Sequence, residues 1–350
     1  MPLIHGGDWA GYKAQYGGMP LDFSANVSPL GLPDGVRRAM AQSLENAHLY
    51  PDPLCRALRA GLAEHLGQPA EQIQCGAGAA DLIFRLVLAV RPKAALVTAP
   101  TFAEYEQALT LTDCRVQRYT LRQENDFLLT EDFLAAIRPG VDLVFLCEPN
   151  NPTGRTTPRP LLGRILAACE AAGARLVVDE CFNEFLADPA AHTLRGELAA
   201  HPGLVILNAF TKWYGMAGVR LGYALCSDTE LLERMRACGQ PWAVSVEAQA
   251  AGLAALQETE YSARLRALVA GQRPRLTAGL AALGCRVIPG EANYILFSRP
   301  EPDLTARLRA KGVLLRDCAN YPGLGPGWYR AAVRTEQENN AFLQAMKEVL

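Results

Sequence analysis

Short apolar runs at residues 94–98, 142–147, 175–179, 204–208 and 221–226, separated by longer segments of helical period, limit this chain to few architectures. Runs of that length without a polar face belong to strands buried on both sides, and helices at 79–90, 159–172 and 228–238 would cover them. The expectation is an α/β fold on a mostly parallel sheet. Such a sheet binds ligands beyond the carboxyl ends of its strands, where the glycine-, proline- and asparagine-rich junctions of this chain fall. Residues 246–283 read as a long helical stretch broken near Gly271 and Pro274, followed by strands near Val287 and Tyr294 and helices near Asp303 and Glu336. The expected organisation is an N-terminal arm (1–30), a large domain (31–245) and a small α+β domain (246–350).

At 350 residues the chain can bury a sizeable core. It is 50% hydrophobic and 20% charged with a net charge of -2, so nothing marks it as disordered or recruits nucleic acid. Its ten cysteines include no Cys-x-x-Cys pair and no Cys/His cluster at metal-ligand spacing; they read as reduced, buried thiols, and no metal is expected. The opening Met1-Pro2-Leu3-Ile4-His5-Gly6-Gly7-Asp8 carries neither a basic nor an apolar leader, and no stretch reaches membrane-spanning length without charges. A cytoplasmic protein is expected.

Lys212 is one of five lysines and lies in Phe210-Thr211-Lys212-Trp213-Tyr214-Gly215-Met216-Ala217. Apolar neighbours desolvate an ammonium, lower its pKa and make it a nucleophile toward an aldehyde. Arg220 follows on a glycine-flanked turn, where a planar guanidinium can clamp a phosphate. An aldehyde bearing a phosphate is pyridoxal 5'-phosphate (PLP). A lone lysine in such a place is more often a snorkelling helix-end residue, so the reading depends on the other segments.

Four segments supply the remaining groups. Gly76-Ala77-Gly78-Ala79-Ala80-Asp81 precedes a predicted helix, whose free N–H groups and dipole suit a phosphate, although a Gly-x-Gly turn there also serves plain packing. Phe102, in Pro100-Thr101-Phe102, can stack on a flat ring or belong to the core. In Glu148-Pro149-Asn150-Asn151-Pro152-Thr153-Gly154 an asparagine amide can donate to a phenolate oxygen, or the segment is simply a turn. Asp179 ends an apolar strand, a costly place for an unpaired carboxylate that a protonated pyridine nitrogen would neutralise.

Taken in order, these segments resemble the fold-type I PLP-dependent enzymes of the class I/II aminotransferase superfamily, over essentially the whole chain. Within that superfamily, four stretches resemble the L-threonine-O-3-phosphate decarboxylases of cobalamin biosynthesis, relatives of the histidinol-phosphate aminotransferases. They are His5-Gly6-Gly7, Asp22-Phe23-Ser24-Ala25-Asn26-Val27-Ser28-Pro29-Leu30-Gly31, Pro100-Thr101-Phe102-Ala103-Glu104-Tyr105 and Arg316-Asp317-Cys318-Ala319-Asn320-Tyr321-Pro322-Gly323-Leu324. The resemblance implies a mostly parallel seven-stranded sheet in the large domain. It makes Lys212 the Schiff-base lysine, Asp179 the partner of the pyridine nitrogen, Asn151 the O3' contact and Phe102 the stacking residue. Arg220, Thr211 and the backbone of Gly78, Ala79 and Ala80 would hold the cofactor phosphate. Tyr50 would reach the phosphate in a neighbouring subunit, which implies a homodimer with shared sites. Arg330 would grip a substrate carboxylate, while His5, Asn26 and Arg316 would face a substrate phosphate.

Two departures stand out. The phosphate-binding turn has Ala77, Ala79 and Ala80 where the superfamily often carries polar side chains, and Phe182 stands where many aminotransferases have tyrosine, as it does in the decarboxylases. The implied activity is decarboxylation of L-threonine O-3-phosphate to (R)-1-amino-2-propanol O-2-phosphate, with transamination of histidinol phosphate or a related amino acid as the alternative. The orientation of the bonds at Cα selects between them. A non-catalytic binding or regulatory protein of this fold would have no need of an aldehyde-reactive lysine.

Overall fold

The computed structural model describes residues 5–350. Its strands are β1 (Leu21–Asp22), β2 (Ile73–Gly76), β3 (Ala94–Ala99), β4 (Arg115–Thr120), β5 (Leu143–Cys147), β6 (Arg175–Asp179), β7 (Leu204–Ala209), β8 (Gly222–Leu225), β9 (Arg286–Val287), β10 (Tyr294–Ser298), β11 (Val313–Leu314), β12 (Arg316–Asp317) and β13 (Trp328–Ala332). Seven of them form one sheet in the order β2-β8-β7-β6-β5-β3-β4. Strand β8 runs antiparallel to both its neighbours, and the remaining pairs are parallel.

The central strands are buried on both faces, so each alternates between two cores. Ala95, Val97, Leu143, Phe145, Val177 and Val205 face one side, and Leu96, Val144, Leu146, Leu176, Val178 and Leu204 face the other. Helices Ala79–Val90 and Thr229–Ala237 cover the first face with Leu82, Leu86, Leu231 and Met235. Helices Arg56–Leu66 and Arg159–Ala172 cover the second with Leu58, Leu62, Leu162 and Ile165. Helices 79–90 and 159–172 match their sequence expectation to the residue. Strand β4 carries no apolar run: it is a sheet edge, half exposed along its length, and its sequence is correspondingly polar.

A second, antiparallel sheet has the order β12-β13-β10-β9. It packs against helix Glu336–Val349 around a third core that includes Leu276, Phe297, Phe342 and Met346. The N-terminal segment joins this core, because β1 pairs in parallel with β11 and the Phe23 ring stacks on Phe342 at 4.4 Å.

Two expectations need correction. The helical stretch 246–283 is interrupted not at Gly271 and Pro274 but between helices Val246–Ala255 and Thr259–Ala282. The first helix closes with tight turns, Gln257 N–H to the Ala254 carbonyl and Glu258 N–H to the Ala255 carbonyl. Pro274 instead lies inside the second helix on its exposed side, where Val269, Leu276 and Leu280 bury the opposite face and keep the helix continuous. All ten cysteines are free, as expected, but not all are buried: Cys75, Cys114 and Cys181 are half-buried and Cys238 is exposed.

Because an interior proline forfeits a helical hydrogen bond, Pro274→Ala is expected to stabilise the protein by about 1–3 kcal/mol. A rise in the urea midpoint at unchanged slope checks this.

Candidate active site

The strand ends converge on one cavity of about 530 Å³ lined by Ala79, Ala80, Phe102, Cys147, Asn151, Asp179, Cys181, Phe182, Thr211, Lys212 and Arg220. Each arrives from a junction past a strand: Gly78 to Ala80 follow β2, Phe102 follows β3, Asn151 follows β5, Asp179 ends β6, and Thr211 and Lys212 follow β7. The sequence-expected cofactor residues therefore share one place, with the exception of Tyr50.

Asp179 is buried, and both its oxygens are engaged. The Tyr105 hydroxyl donates to Oδ2 at 2.7 Å and the Cys181 N–H donates to Oδ1 at 3.0 Å. The Tyr105 ring is wholly buried, stacked on Phe145 at 4.8 Å and edge-on to Phe102 at 5.6 Å. Burial and the neighbouring Asp179 charge push its phenol pKa well up, so Tyr105 remains a donor. Tyr105 was not among the sequence candidates for the site; its signal was its place in the same short motif as Phe102.

The loop after β5 is tied to the loop after β3. The Thr101 hydroxyl donates to Asn150 Oδ1 at 2.9 Å, and Asn150 Nδ2 donates to the Pro100 carbonyl and the Thr153 hydroxyl, both at 3.0 Å. Asn150 is thus the brace and Asn151 the residue that faces the cavity. Arg330 Nη1 donates to Asn151 Oδ1, which leaves the Asn151 Nδ2 as a donor into the cavity.

Lys212 sits in the short helix Phe210–Trp213, with its Nζ 5.8 Å from the centre of the Phe182 ring. Burial, followed by the charges of Arg330 and Arg220, lowers its pKa, while Cys181 and Glu104 oppose the shift. The Ser28 N–H donates to its carbonyl at 2.9 Å and fixes the N-terminal loop against it.

Facing Lys212, helix Ala79–Val90 begins at Gly78, whose φ of +94° suits glycine. A Cβ on Gly78 would lie 2.8 Å from Arg220 Nη2 and would push that guanidinium aside. Arg220 is itself held at φ +62°, a costly conformation for a residue with a Cβ, and donates to the Ala217 carbonyl at 3.2 Å. The first N–H groups of a helix have no helical acceptor, and Ala79 and Ala80 line the same cavity as Arg220 and Thr211.

Around the mouth lie the other cations. Arg316 on β12 and Arg330 on β13 are direct cross-strand partners, and both are buried. Arg316 donates to the Asp317 carbonyl at 2.6 Å and to Asn320 Oδ1 at 2.9 Å, and Arg330 donates to the Ser24 carbonyl at 2.9 Å. Asn26 is 2% exposed, and neither of its side-chain amide atoms has a partner among the described residues. His5 is half exposed and its Nε2 lies 3.1 Å from Glu104 Oε1. Tyr50 does not join the cavity: it is 79% exposed and stacked on Trp242 at 4.5 Å.

These residues fit PLP. An anchored carboxylate suits its ring nitrogen, an aromatic face its ring and an amide donor its phenolate, while a helix N-terminus with an arginine suits its phosphate and a low-pKa amine its aldehyde. Backbone N–H groups and Arg220 are the donors offered at that helix N-terminus, since Ala77, Ala79 and Ala80 bring no polar side chains.

Residues 19–346 match the family model described as aminotransferase class I and II, and the chain belongs to that family. It is 38% identical over 333 residues to a threonine-phosphate decarboxylase of Salmonella typhimurium, covering 94% of this chain and 91% of the relative. It is 33% identical over 336 residues to a histidinol-phosphate aminotransferase of Nitratidesulfovibrio vulgaris, covering 93% and 88%. Among solved structures, a histidinol-phosphate aminotransferase from Clostridium acetobutylicum superposes with a TM-score of 0.87 at 27% identity, covering 94% of this chain and 98% of that one. An L-threonine-O-3-phosphate decarboxylase from Porphyromonas gingivalis shares the fold at a TM-score of 0.81 and 24% identity, covering 93% and 98%. No helix among the described residues is long and apolar enough to cross a membrane.

Tyr105→Phe leaves one oxygen of a buried carboxylate without its donor, which costs about 1–3 kcal/mol. The expected result is a roughly 10- to 100-fold weaker PLP affinity, read by titrating cofactor absorbance into apoprotein, with a fold unchanged by circular dichroism.

Proposed function

We propose that this protein is a PLP-dependent carboxy-lyase that converts L-threonine O-3-phosphate to (R)-1-amino-2-propanol O-2-phosphate and CO2. The observation that carries the reading is the buried cross-strand pair Arg316 and Arg330. Like charges opposite each other on a ladder repel, and Arg330 donates only to neutral oxygens among the described residues, Asn151 Oδ1 and the Ser24 carbonyl. A substrate with two anionic groups, a carboxylate and a phosphate, suits such a pair of adjacent cations. The relatives named as threonine-phosphate decarboxylases support the same substrate class.

Bound PLP supplies an electron sink for the pair left behind when a bond at the substrate's Cα breaks. Lys212, its pKa lowered by burial, would hold the aldehyde; once released from it, the amine would take a proton from water and, as the ammonium, is placed to deliver that proton to Cα after CO2 has left. Asp179, fixed by Tyr105 and the Cys181 N–H, keeps a negative charge facing the ring nitrogen. Phe102 and Phe182 exclude water from the ring. Arg220, Thr211 and the Ala79 and Ala80 N–H groups bind the cofactor phosphate. Arg330 takes the substrate carboxylate, and Arg316, His5 and Asn26 take its phosphate, giving the unpartnered Asn26 amide its missing partners. The exposed Tyr50 is assigned to a neighbouring cofactor's phosphate in a homodimer.

The second reading, transamination of histidinol phosphate, draws on the aminotransferase relatives. That substrate has a phosphate but no carboxylate, so both arginines would have to serve one group.

PLP-loaded protein incubated with L-threonine O-3-phosphate is expected to release CO2 with no keto acid present. Glutamate formed only with 2-oxoglutarate, from this substrate or from histidinol phosphate, would replace the proposal with the aminotransferase. Arg316→Ala removes a charge-assisted contact worth about 1.5–3 kcal/mol, so KM for the phosphorylated substrate should rise roughly 10- to 150-fold. Lys212→Ala should abolish turnover and the cofactor's absorbance band.

A further inference from the structure

We propose that Glu104 is a positioning residue that stores the proton His5 takes up when the substrate phosphate docks between His5 and Arg316. The inference rests on the assignment of that phosphate to this corner of the site.

Glu104 opens the short helix Glu104–Leu109, between Phe102 and Tyr105, and is not needed by any step derived above. Its side chain is only 12% exposed, and its Oε2 is buried with no hydrogen-bond partner among the described residues. Among those residues the one ion-pair partner of this carboxyl is the His5 imidazole at 3.1 Å. On the other side of the pair, the chain is anchored immediately after His5. The Gly7 N–H donates to Ser24 Oγ at 2.8 Å, and a Cβ on Gly6 would lie 2.2 Å from the Ser24 carbonyl oxygen.

The charges around the pair set the direction of the proton. Burial, then Arg316, Lys212 and Arg330, disfavour a positive His5 and lower its pKa. Burial raises the Glu104 pKa to about 7, with Asp179 adding to the rise and Lys212 and Arg316 opposing it. Near neutral pH without substrate, the proton therefore resides on Glu104 and His5 is neutral, its Nε2 accepting from the Glu104 hydroxyl. An arriving phosphate dianion offsets the positive field of Arg316 and Arg330 and reverses the preference. The O–H bond at Glu104 Oε1 breaks as the N–H bond at His5 Nε2 forms, leaving a carboxylate and an imidazolium. The imidazolium then meets the phosphate without drawing a proton from water.

Glu104→Gln keeps the size and a hydrogen bond but has no proton to give. Binding of the product amine, (R)-1-amino-2-propanol O-2-phosphate, to holoenzyme is measured by calorimetry in buffers of different ionisation enthalpy. At pH 6.5 the variant should take up well over half a proton per site more than wild type, about the fraction that Glu104 holds at that pH. In kinetics with L-threonine O-3-phosphate, the ratio of variant to wild-type KM should grow as pH rises toward 7 and level off above it, with kcat changed less than KM. The ratio cancels the ionisation of the phosphate itself.

His5→Gln provides the second arm. In that background, Glu104→Gln should add no further proton uptake and no further pH dependence. Equal proton uptake by wild type and Glu104→Gln, or a Glu104→Gln effect that persists without His5, overturns the proposal while leaving the decarboxylase reading intact. A wild-type holoenzyme that neither binds the phosphorylated amine nor releases CO2 removes both.

Discussion

A carboxylate at the end of a fully buried parallel strand is the constraint from which the site follows. Asp179 lies among apolar strand residues, where an unmatched charge is costly, and the protein answers with two donors rather than a counter-ion. One of them, Tyr105, stacks on Phe145 and meets Phe102 edge-on, so the group that steadies the charge also sets the ring that faces the cofactor. The loop carrying Tyr105 is laced through Thr101 and Pro100 to Asn150, and that loop presents Asn151. A single electrostatic need thus aligns three strand ends.

The second anchor is Arg330, which joins parts of the chain that are remote in sequence. Its guanidinium bonds Asn151 from the large sheet and the Ser24 carbonyl from the N-terminal segment while sitting on β13 of the small sheet. Arg330 therefore sits at a seam between three segments, while the cavity lined by Lys212 and Asp179 is built from the strand ends of the large sheet. That division matches the chemistry: the cofactor needs a fixed cradle, and the substrate needs charges that meet over it.

What was legible in the sequence follows the same division. Strands β3, β5, β6 and β7 and helices 79–90 and 159–172 declared themselves because two-sided burial writes unbroken apolar runs and one-sided burial writes helical periodicity. Lys212, Asp179, Asn151, Phe102 and Arg220 stood at the ends of those elements and meet in one cavity. Strand β4 was illegible because an edge half in water needs no apolar pattern, and β13 because the sequence around Trp328 and Arg330 mixes rings, alanine and charge. Pro274 misled because a proline on an exposed helix face is tolerated when burial on the other face holds both halves. Tyr105, Glu104 and Asn150 were missed for a common reason. Each acts on another side chain rather than on a ligand, and such partnerships between residues dozens of positions apart leave no local spacing to read.

The order of the large sheet bears on how the chain comes into being. Strand β2 has β8 as its neighbour, and β8 is itself inserted against β7. The turn at Gly78 that closes the phosphate corner is therefore made early but supported late. From the end of β2 to the start of β8 a ribosome adds about 150 residues, on the order of ten to thirty seconds of synthesis. Throughout that interval residues 73–76 have no strand partner. A nascent chain stalled before residue 222 would carry every side chain of the cavity, through Arg220, without the strand that seats the Gly78 turn beside them.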